Sequence, residues 1–361
     1  KADKNLNWLC DDANKNDLLL HADTQGRTMA EQMGKADIFD RVTNRRNAGD
    51  RIDPYTHERE KDRPFSKYEL LASVSKPPEI KYKDLKSIVD TRVTYDLFPF
   101  EARLDYIKIS EQQVLVPLTI RIKNSHIEFK EKGFGVARGQ VNVYGIVTTL
   151  SGNFVQEFED DIVRDFKAAN LEAARGEYSV YQKFLLLASS SYKLGLVLKD
   201  TESGKIGMSE LRLGVPRFEA ELLNASSMIL TRQITKVDDP DSDIGPFVLG
   251  DIKVIPDFEK KYLNSDPLWV YLQIYNLSID QNLLRPEVKV DYIVERDGNE
   301  YYKYQDLKGS TFRFVSGDRL VITGKLPIKR FAPGLYTLRV RVQDAISGQT
   351  LERTEKFEIG A

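Results

Sequence analysis

The sequence predicts a mainly β protein: two tandem immunoglobulin- or fibronectin-like β-sandwich domains preceded by an extended, partly helical N-terminal segment. Three observations point there. The chain carries 17 Tyr and 17 Phe among 361 residues, and aromatic side chains favour strands over helices. From about Thr91 onward, β-branched and aromatic runs alternate with turn residues at the spacing of an all-β sandwich. Two of these runs also repeat each other residue by residue.

A chain of 361 residues exceeds the roughly 250 to 300 residues at which a single core stops growing, so two or three domains are expected. Residues 1–87 are rich in Asp, Asn, Lys and Arg and poor in aromatics, too polar to bury a core of their own. They read as an extended segment draped over something else. One short helix is expected from Thr28 to Val42, where Thr28 and Glu31 form a capping box and Met29, Met33, Ile38 and Phe39 share a side. Asn44 to Pro64 reads as an exposed loop or partner-binding arm.

The first sandwich is expected over residues 88–218. In VLVPLTIRI, Leu118, Ile120 and Ile122 alternate with Thr119 and Arg121, as a strand with one dry and one wet face requires. LEAARGEY (Leu171 to Tyr178) adds one helical turn, and GFGVARG (Gly133 to Gly139) reads as a hairpin turn. A connector follows over residues 219–263, where Phe247, Val248, Leu249 and Val254 predict extra strands on the second sandwich. That sandwich is expected over residues 264–361.

The repeat aligns SYKLGLVLKDTESGKI, from Ser191, with LYTLRVRVQDAISGQT, from Leu335. It matches Tyr192 with Tyr336, Leu194 with Leu338, Asp200 with Asp344, and Ser203-Gly204 with Ser347-Gly348. Alternating apolar residues then face a core, and the Asp and Ser-Gly pair turn the chain into the last strand of a hairpin. Earlier segments correspond in the same order: VLVPLTIRI with LWVYLQIYN at Leu268, VNVYGIV at Val141 with VKVDYIV at Val288, and Gly152-Asn153 with Gly298-Asn299.

Composition narrows function mainly by exclusion. Lys plus Arg at 53 against Asp plus Glu at 55 leaves a net charge of -2, without the one-sided field of a nucleic-acid binder. No run approaches the roughly 18 apolar residues that cross a bilayer as a helix. Lys1 to Cys10 lacks a signal-peptide apolar stretch; starting without Met, the sequence reads as a processed or partial chain. The single cysteine, Cys10, excludes an internal disulfide or a Cys-based zinc cluster and reads as a bystander thiol. LNWLC, before and including Cys10, lacks the small residues of a lipoprotein cleavage site.

Candidate chemistry is sparse. His21, His57 and His126 have no second His at ligand spacing, and no GxSxG elbow or P-loop is present. In DDPDSDIG, Asp239, Asp241 and Asp243 alternate and offer carboxylates to one calcium ion, the alternative being a solvated acidic turn. No other cofactor is expected. Adjacent Glu159, Asp160 and Asp161 point to opposite faces of a strand, which suits solubility better than acid-base catalysis. Tyr301, Tyr302 and Tyr304 offer a protein or sugar platform or, in part, core.

Several segments resemble the C-terminal region of bacterial GWxTD domain-containing proteins. They include GRTMAEQMGKADIFDR (Gly26 to Arg41), TRVTYDLFPFEARLDYIKI (Thr91 to Ile109), VNVYGIVTTLSG (Val141 to Gly152) and VYQKFLLL (Val180 to Leu187). SSMILTRQI (Ser226 to Ile234), GPFVLGDIKVIP (Gly245 to Pro256) and APGLYTLRVRVQDAISGQTL (Ala332 to Leu351) continue the likeness. The Gly-Trp-x-Thr-Asp signature itself is absent; Trp8 and Trp269 stand in other contexts. The resemblance implies the region after the signature domain, and an exported protein at a periplasmic, cell-surface or extracellular address.

The expected function is therefore a non-enzymatic structural or protein-interaction component of an exported or cell-envelope assembly, partnered by other protein subunits or by itself. The alternative is a carbohydrate- or ligand-binding accessory module of an enzyme or transport system whose upstream domain is missing.

Overall fold

A computed structural model describes residues 84–86, 96–237, 247–282, 284–316 and 318–360. The expected helix at Thr28 to Val42, the arm at Asn44 to Pro64, Cys10, His21, His57 and the acidic trio Asp239, Asp241 and Asp243 lie outside these residues.

The fold is mainly β. The first sandwich uses β1 (Glu101–Leu104), β2 (Ile107–Lys108), β3 (Val114–Lys123), β4 (Lys130–Glu131), β5 (Val136–Thr149) and β6 (Phe154–Lys167). It continues through a single helical turn, α1 (Leu171–Ala174), to β7 (Tyr178–Leu187), β8 (Ser190–Asp200) and β9 (Ile206–Val215). One sheet sets β1 and β2 on one side of β3 and β7 on the other; the second runs β6-β5-β8-β9, with β4 also on β5. Alternate residues Val114, Val116, Leu118, Ile120 and Ile122 of β3 face Val141, Val143, Leu194, Leu196 and Leu198 in one buried core, as period-two patterning requires.

The connector supplies β10 (Asn224–Ala225), β11 (Ile229–Thr231), β12 (Ile234–Lys236), β13 (Val248–Leu249), β14 (Ile252–Val254) and β15 (Lys261–Tyr262). After it come β16 (Leu268–Tyr275), β17 (Val288–Arg296), β18 (Asn299–Asp306), β19 (Phe312–Ser316), β20 (Arg319–Leu326), β21 (Gly334–Asp344) and β22 (Thr350–Ile359). One sheet sets β10 and β11 beside β16, then β20 and β19. The other runs β15-β22-β21-β17-β18, with β15 parallel to β22.

The two sheet plans coincide. Val141 pairs with Asp200 as Val288 pairs with Asp344, and a register shift follows Val147 in one sandwich and Val294 in the other. Each repeated aspartate is buried and closes its turn alike. Ser203 Oγ donates to Asp200 at 2.6 Å and Ser347 Oγ to Asp344 at 2.7 Å, while Gly204 and Gly348 turn at φ 71° and 73°, where a side chain would be strained. Each carboxylate also reaches across its sandwich to accept a backbone N–H, from Glu128 at 3.0 Å and Ser278 at 2.9 Å.

One expectation about the connector needs correction. Val248, Leu249 and Val254 do lie in strands, but these form a separate three-stranded sheet, β12-β14-β13, and extend neither sheet of the second sandwich. Leu249, Ile252 and Val254 instead meet Ile107 and Leu115 from the first sandwich and Ile229, Tyr271 and Val321 from the second in a third core. The outer faces of β3 and β16 therefore carry apolar side chains where a free domain would carry polar ones.

At the other end of the chain, Leu85 packs with Tyr144 and Val197 on the outer face of β5 and β8, flanked by ion pairs Lys199–Asp84 at 2.7 Å and Lys86–Glu157 at 3.1 Å. Among the described residues no helix is long and apolar enough to cross a membrane.

Candidate interaction sites

Two places offer chemistry. The first is the seam between the sandwiches. Ser227 N–H donates to the Tyr106 carbonyl at 3.0 Å, and Tyr106 N–H returns to Ser227 Oγ at 2.9 Å. Lys108 N–H donates to the Tyr275 hydroxyl at 3.1 Å, and Lys108 Nζ to Asn276 Oδ1 at 2.7 Å. Burial beside the Phe218 and Tyr275 rings lowers the Lys108 ammonium pKa below that of an ordinary lysine, while burial pushes the Tyr275 hydroxyl pKa upward. Tyr275, a second-sandwich residue, also completes the first core, its ring edge-on to Phe218 at 5.5 Å.

Beside the seam opens a polar cleft of about 510 Å³, lined among others by Arg103, Asp105, Tyr106, Lys260, Arg353 and Glu355. Arg103 holds Asp105 through two bonds of 2.8 Å and donates to the Met228 carbonyl at 3.2 Å. Burial alone would lower the Arg103 pKa, but the Asp105 carboxylate outweighs it and holds it above the ordinary arginine value. Lys260 is ion-paired with Glu355. Arg103 Nη1 and Arg353 Nε are buried without an acceptor among the described residues. With three cations to two carboxylates, the lining suits an anionic group.

The second place is the rim of the second sandwich, where β18 and β19 end their respective sheets. Tyr302 and Tyr304 lie opposite the core residues Val294 and Tyr292 and so point inward, whereas Lys303 and Gln305 lie opposite Ile293 and Asp291 on the outer face. The register shift leaves Tyr301 as the extra residue. Neighbouring Tyr301 and Tyr302 thereby both reach Phe331, at 5.2 and 5.9 Å between ring centres. Tyr301, Tyr304 and Phe314 remain 42%, 39% and 41% exposed, and Leu307 73%. Of the tyrosines singled out from the sequence, Tyr302 packs against the core, while Tyr304 beside Tyr292 and Tyr301 beside Phe331 and Tyr336 lie at the rim, partly in water.

The matching rim of the first sandwich is closed. Tyr181 Oη and Lys183 Nζ, from β7, donate to Asp160 of β6 at 2.6 and 3.2 Å, and Arg164 Nη2 donates to the Val180 carbonyl at 2.6 Å. Burial and the Asp160 charge together raise the Tyr181 pKa. Asp160 thus ties two sheets together, a role that its acidic neighbours hid in the sequence. Among the described residues no hydrogen bond or ion pair joins β18 to β19, and the outward backbone groups of β18 have no backbone partner. Where that rim turns, Asp306 accepts bonds from Lys308, Ser310 and Thr311.

No three His, Cys, Asp or Glu side chains converge on a metal position among the described residues; the acidic trio proposed for calcium is not among them. His126 is half-buried, with Nδ1 3.2 Å from the Pro99 carbonyl oxygen. The cleft went unseen in the sequence because Arg103 and Arg353 come from different sandwiches. The sole available hint was Arg103 and Asp105 two residues apart, on one face of an extended chain.

No family model matches the chain, and no curated protein does. Among solved structures it is similar to the C-terminal domain of the AgI/II polypeptide BspA of Streptococcus agalactiae. The identity is 11%, the likeness spans 72% of this chain and 100% of that one, and the TM-score is 0.19. At that score the likeness carries no argument about fold or activity.

Proposed function

We propose that the chain is a non-enzymatic structural or protein-interaction component of an exported or cell-envelope assembly, acting as a stiff two-domain arm. The observation that carries this reading is the third core. Residues of both sandwiches and of the connector share it, so the two domains are held as one piece where most tandem domains pivot on a linker. A fixed geometry suits a spacer or scaffold. The envelope address rests on the resemblance to the C-terminal region of GWxTD domain-containing proteins.

We further read both domains as sandwiches of the immunoglobulin or fibronectin kind. The matching sheet order supports this, as does a tyrosine at the start of the next-to-last strand of each sandwich, bonded to a carbonyl upstream.

Native isolation from the envelope fraction of the producing cell tests the role. The protein should run in an assembly larger than its own mass, with a stoichiometric partner. A chain found free of partners in another fraction overturns the reading.

The cleft favours a second reading, a ligand-binding accessory module. Its cationic lining, with Arg353 beyond the Arg103–Asp105 and Lys260–Glu355 pairs, would take an acidic saccharide or carboxylate. Saturable binding on a glycan array, lost in Arg353→Met, would support that module over the arm.

A further inference from the structure

Resting on the reading of an assembling protein, the geometry points to β18 as the strand through which two copies of this chain join, edge to edge and antiparallel. The five-stranded sheet ending at β18 then becomes one continuous sheet of ten strands across the pair.

Four observations converge on this strand. An unpaired sheet edge is a template for another strand, and proteins that stay apart blunt such edges. The equivalent edge strand, β6, is tied to the facing sheet by side-chain bonds of Asp160 and Arg164 with β7. On β18 the ties run to flanking loops and not to the facing strand: Asp306 accepts from Thr311, Tyr304 Oη lies 3.3 Å from Ser310 Oγ, and Tyr301 Oη accepts from Ala332 N–H at 3.4 Å. Along its eight residues the outward backbone donors and acceptors have no backbone partner among the described residues. Two of its three tyrosines remain partly in water: Tyr301 and Tyr304 are each about two-fifths exposed, and Leu307 and Phe314 lie at the same rim.

Charge favours a second copy as the occupant. The outer face of β18 carries Glu300 and Lys303, one of each sign, with Gln305 neutral, so an identical edge meets no single-sign field. An antiparallel copy also brings tyrosines of the two edges within reach of one another, and aromatic cross-strand pairs stabilise sheets. The joint is isologous: each edge is satisfied by the other, and the assembly closes as a dimer without growing into fibres. Main-chain bonds supply affinity in such strand addition, and the side chains fix the alignment.

Sedimentation of the purified full chain, from low to several hundred micromolar, tests the proposal. The mass should double as concentration rises, and amide hydrogen exchange should slow in β18 but not in β6. In an antiparallel strand, successive residues point their N–H groups to opposite sides. One of Lys303→Pro and Tyr304→Pro therefore removes a bond to β17, and the other removes only an outward donor. Whichever retains the wild-type melting temperature should be monomeric where the wild type is dimeric. Lys303→Asp, which makes the edge acidic, should weaken the dimer by about tenfold or more even if neither proline variant folds.

A wild-type chain that stays monomeric throughout overturns the proposal, as does a proline variant with the wild-type melting temperature, or a Lys303→Asp chain, that dimerises like the wild type. Such a result leaves the native assembly with other proteins untouched, because that reading is tested in the producing cell.

Discussion

Tyr192 and Tyr336 stand at the same point of their sandwiches, and each donates its hydroxyl to the carbonyl of an alanine four residues upstream: Ala188 at 2.9 Å and Ala332 at 2.7 Å. The bond pins the corner where the chain leaves one sheet for the other. Tyr192→Phe and Tyr336→Phe should each lose about 1 kcal/mol, the net worth of one such bond. Tyr336→Ala should lose about 3 to 5 kcal/mol, because its ring also packs on Phe331 and Phe357. Urea denaturation of the three variants measures both.

The capping aspartates set an acid limit. For Asp344, burial alone would raise the carboxyl pKa, but hydrogen bonds from Ser278, Ser347 and Ile346 outweigh it and hold the pKa below the ordinary value. Asp306 is lowered in the same way against its burial, chiefly by Thr311. A depressed folded-state pKa gives stability that is complete above the unfolded value of about 3.9 and lost as pH falls through the folded one. Asp344→Asn should therefore be less stable at neutral pH by about 1 to 3 kcal/mol and show a flatter acid limb below about pH 4. Denaturation midpoints across pH check the sign.

Two glycines leave room for aromatic rings, one in each sandwich. A Cβ at Gly324 would lie 2.5 Å from the Tyr292 hydroxyl oxygen, and one at Gly145 would lie 2.2 Å from the Phe158 ring. Gly324→Ala should cost about 1 to 3 kcal/mol through overpacking. The cost should shrink in a Tyr292→Phe background, where the closest atom is gone. A double-mutant cycle reads the coupling, and Gly145→Ala with Phe158→Leu should show it too.

The third core should make the sandwiches unfold together. Leu115→Ala removes a fully buried contributor from the first sandwich and should lower stability by about 2 to 5 kcal/mol. If the core couples the domains, calorimetry should show one transition in the wild type and a broadened or split one in Leu115→Asp. Two well-separated transitions in the wild type would contradict the coupling.

What was legible in the sequence was local. Tyr192, Leu194 and Asp200 match Tyr336, Leu338 and Asp344 because alternation and turn chemistry act within a few residues of one another. Gly204 and Gly348 mark the turns for the same reason. The destination of Val248, Leu249 and Val254 was not legible: apolar alternation announces a strand but not its sheet, and their partners Ile107 and Tyr271 lie far away in the chain. Asp160 likewise reads as one acid among three until Tyr181 and Lys183 are brought across the rim. The open edge at β18 is invisible in principle, since it consists of backbone groups that lack neighbours.

The parallel pairing of β15 with β22 bears on how the molecule is made. Because β22 lies between β15 and β21, the second sandwich can close only once this last of the described strands has left the ribosome. The first sandwich has all its own strands once β9 is synthesised, yet its core still waits for Tyr275. During translation an early domain therefore stands nearly finished, its outer face bare of the connector sheet. That interval is when a chaperone would have most to hold.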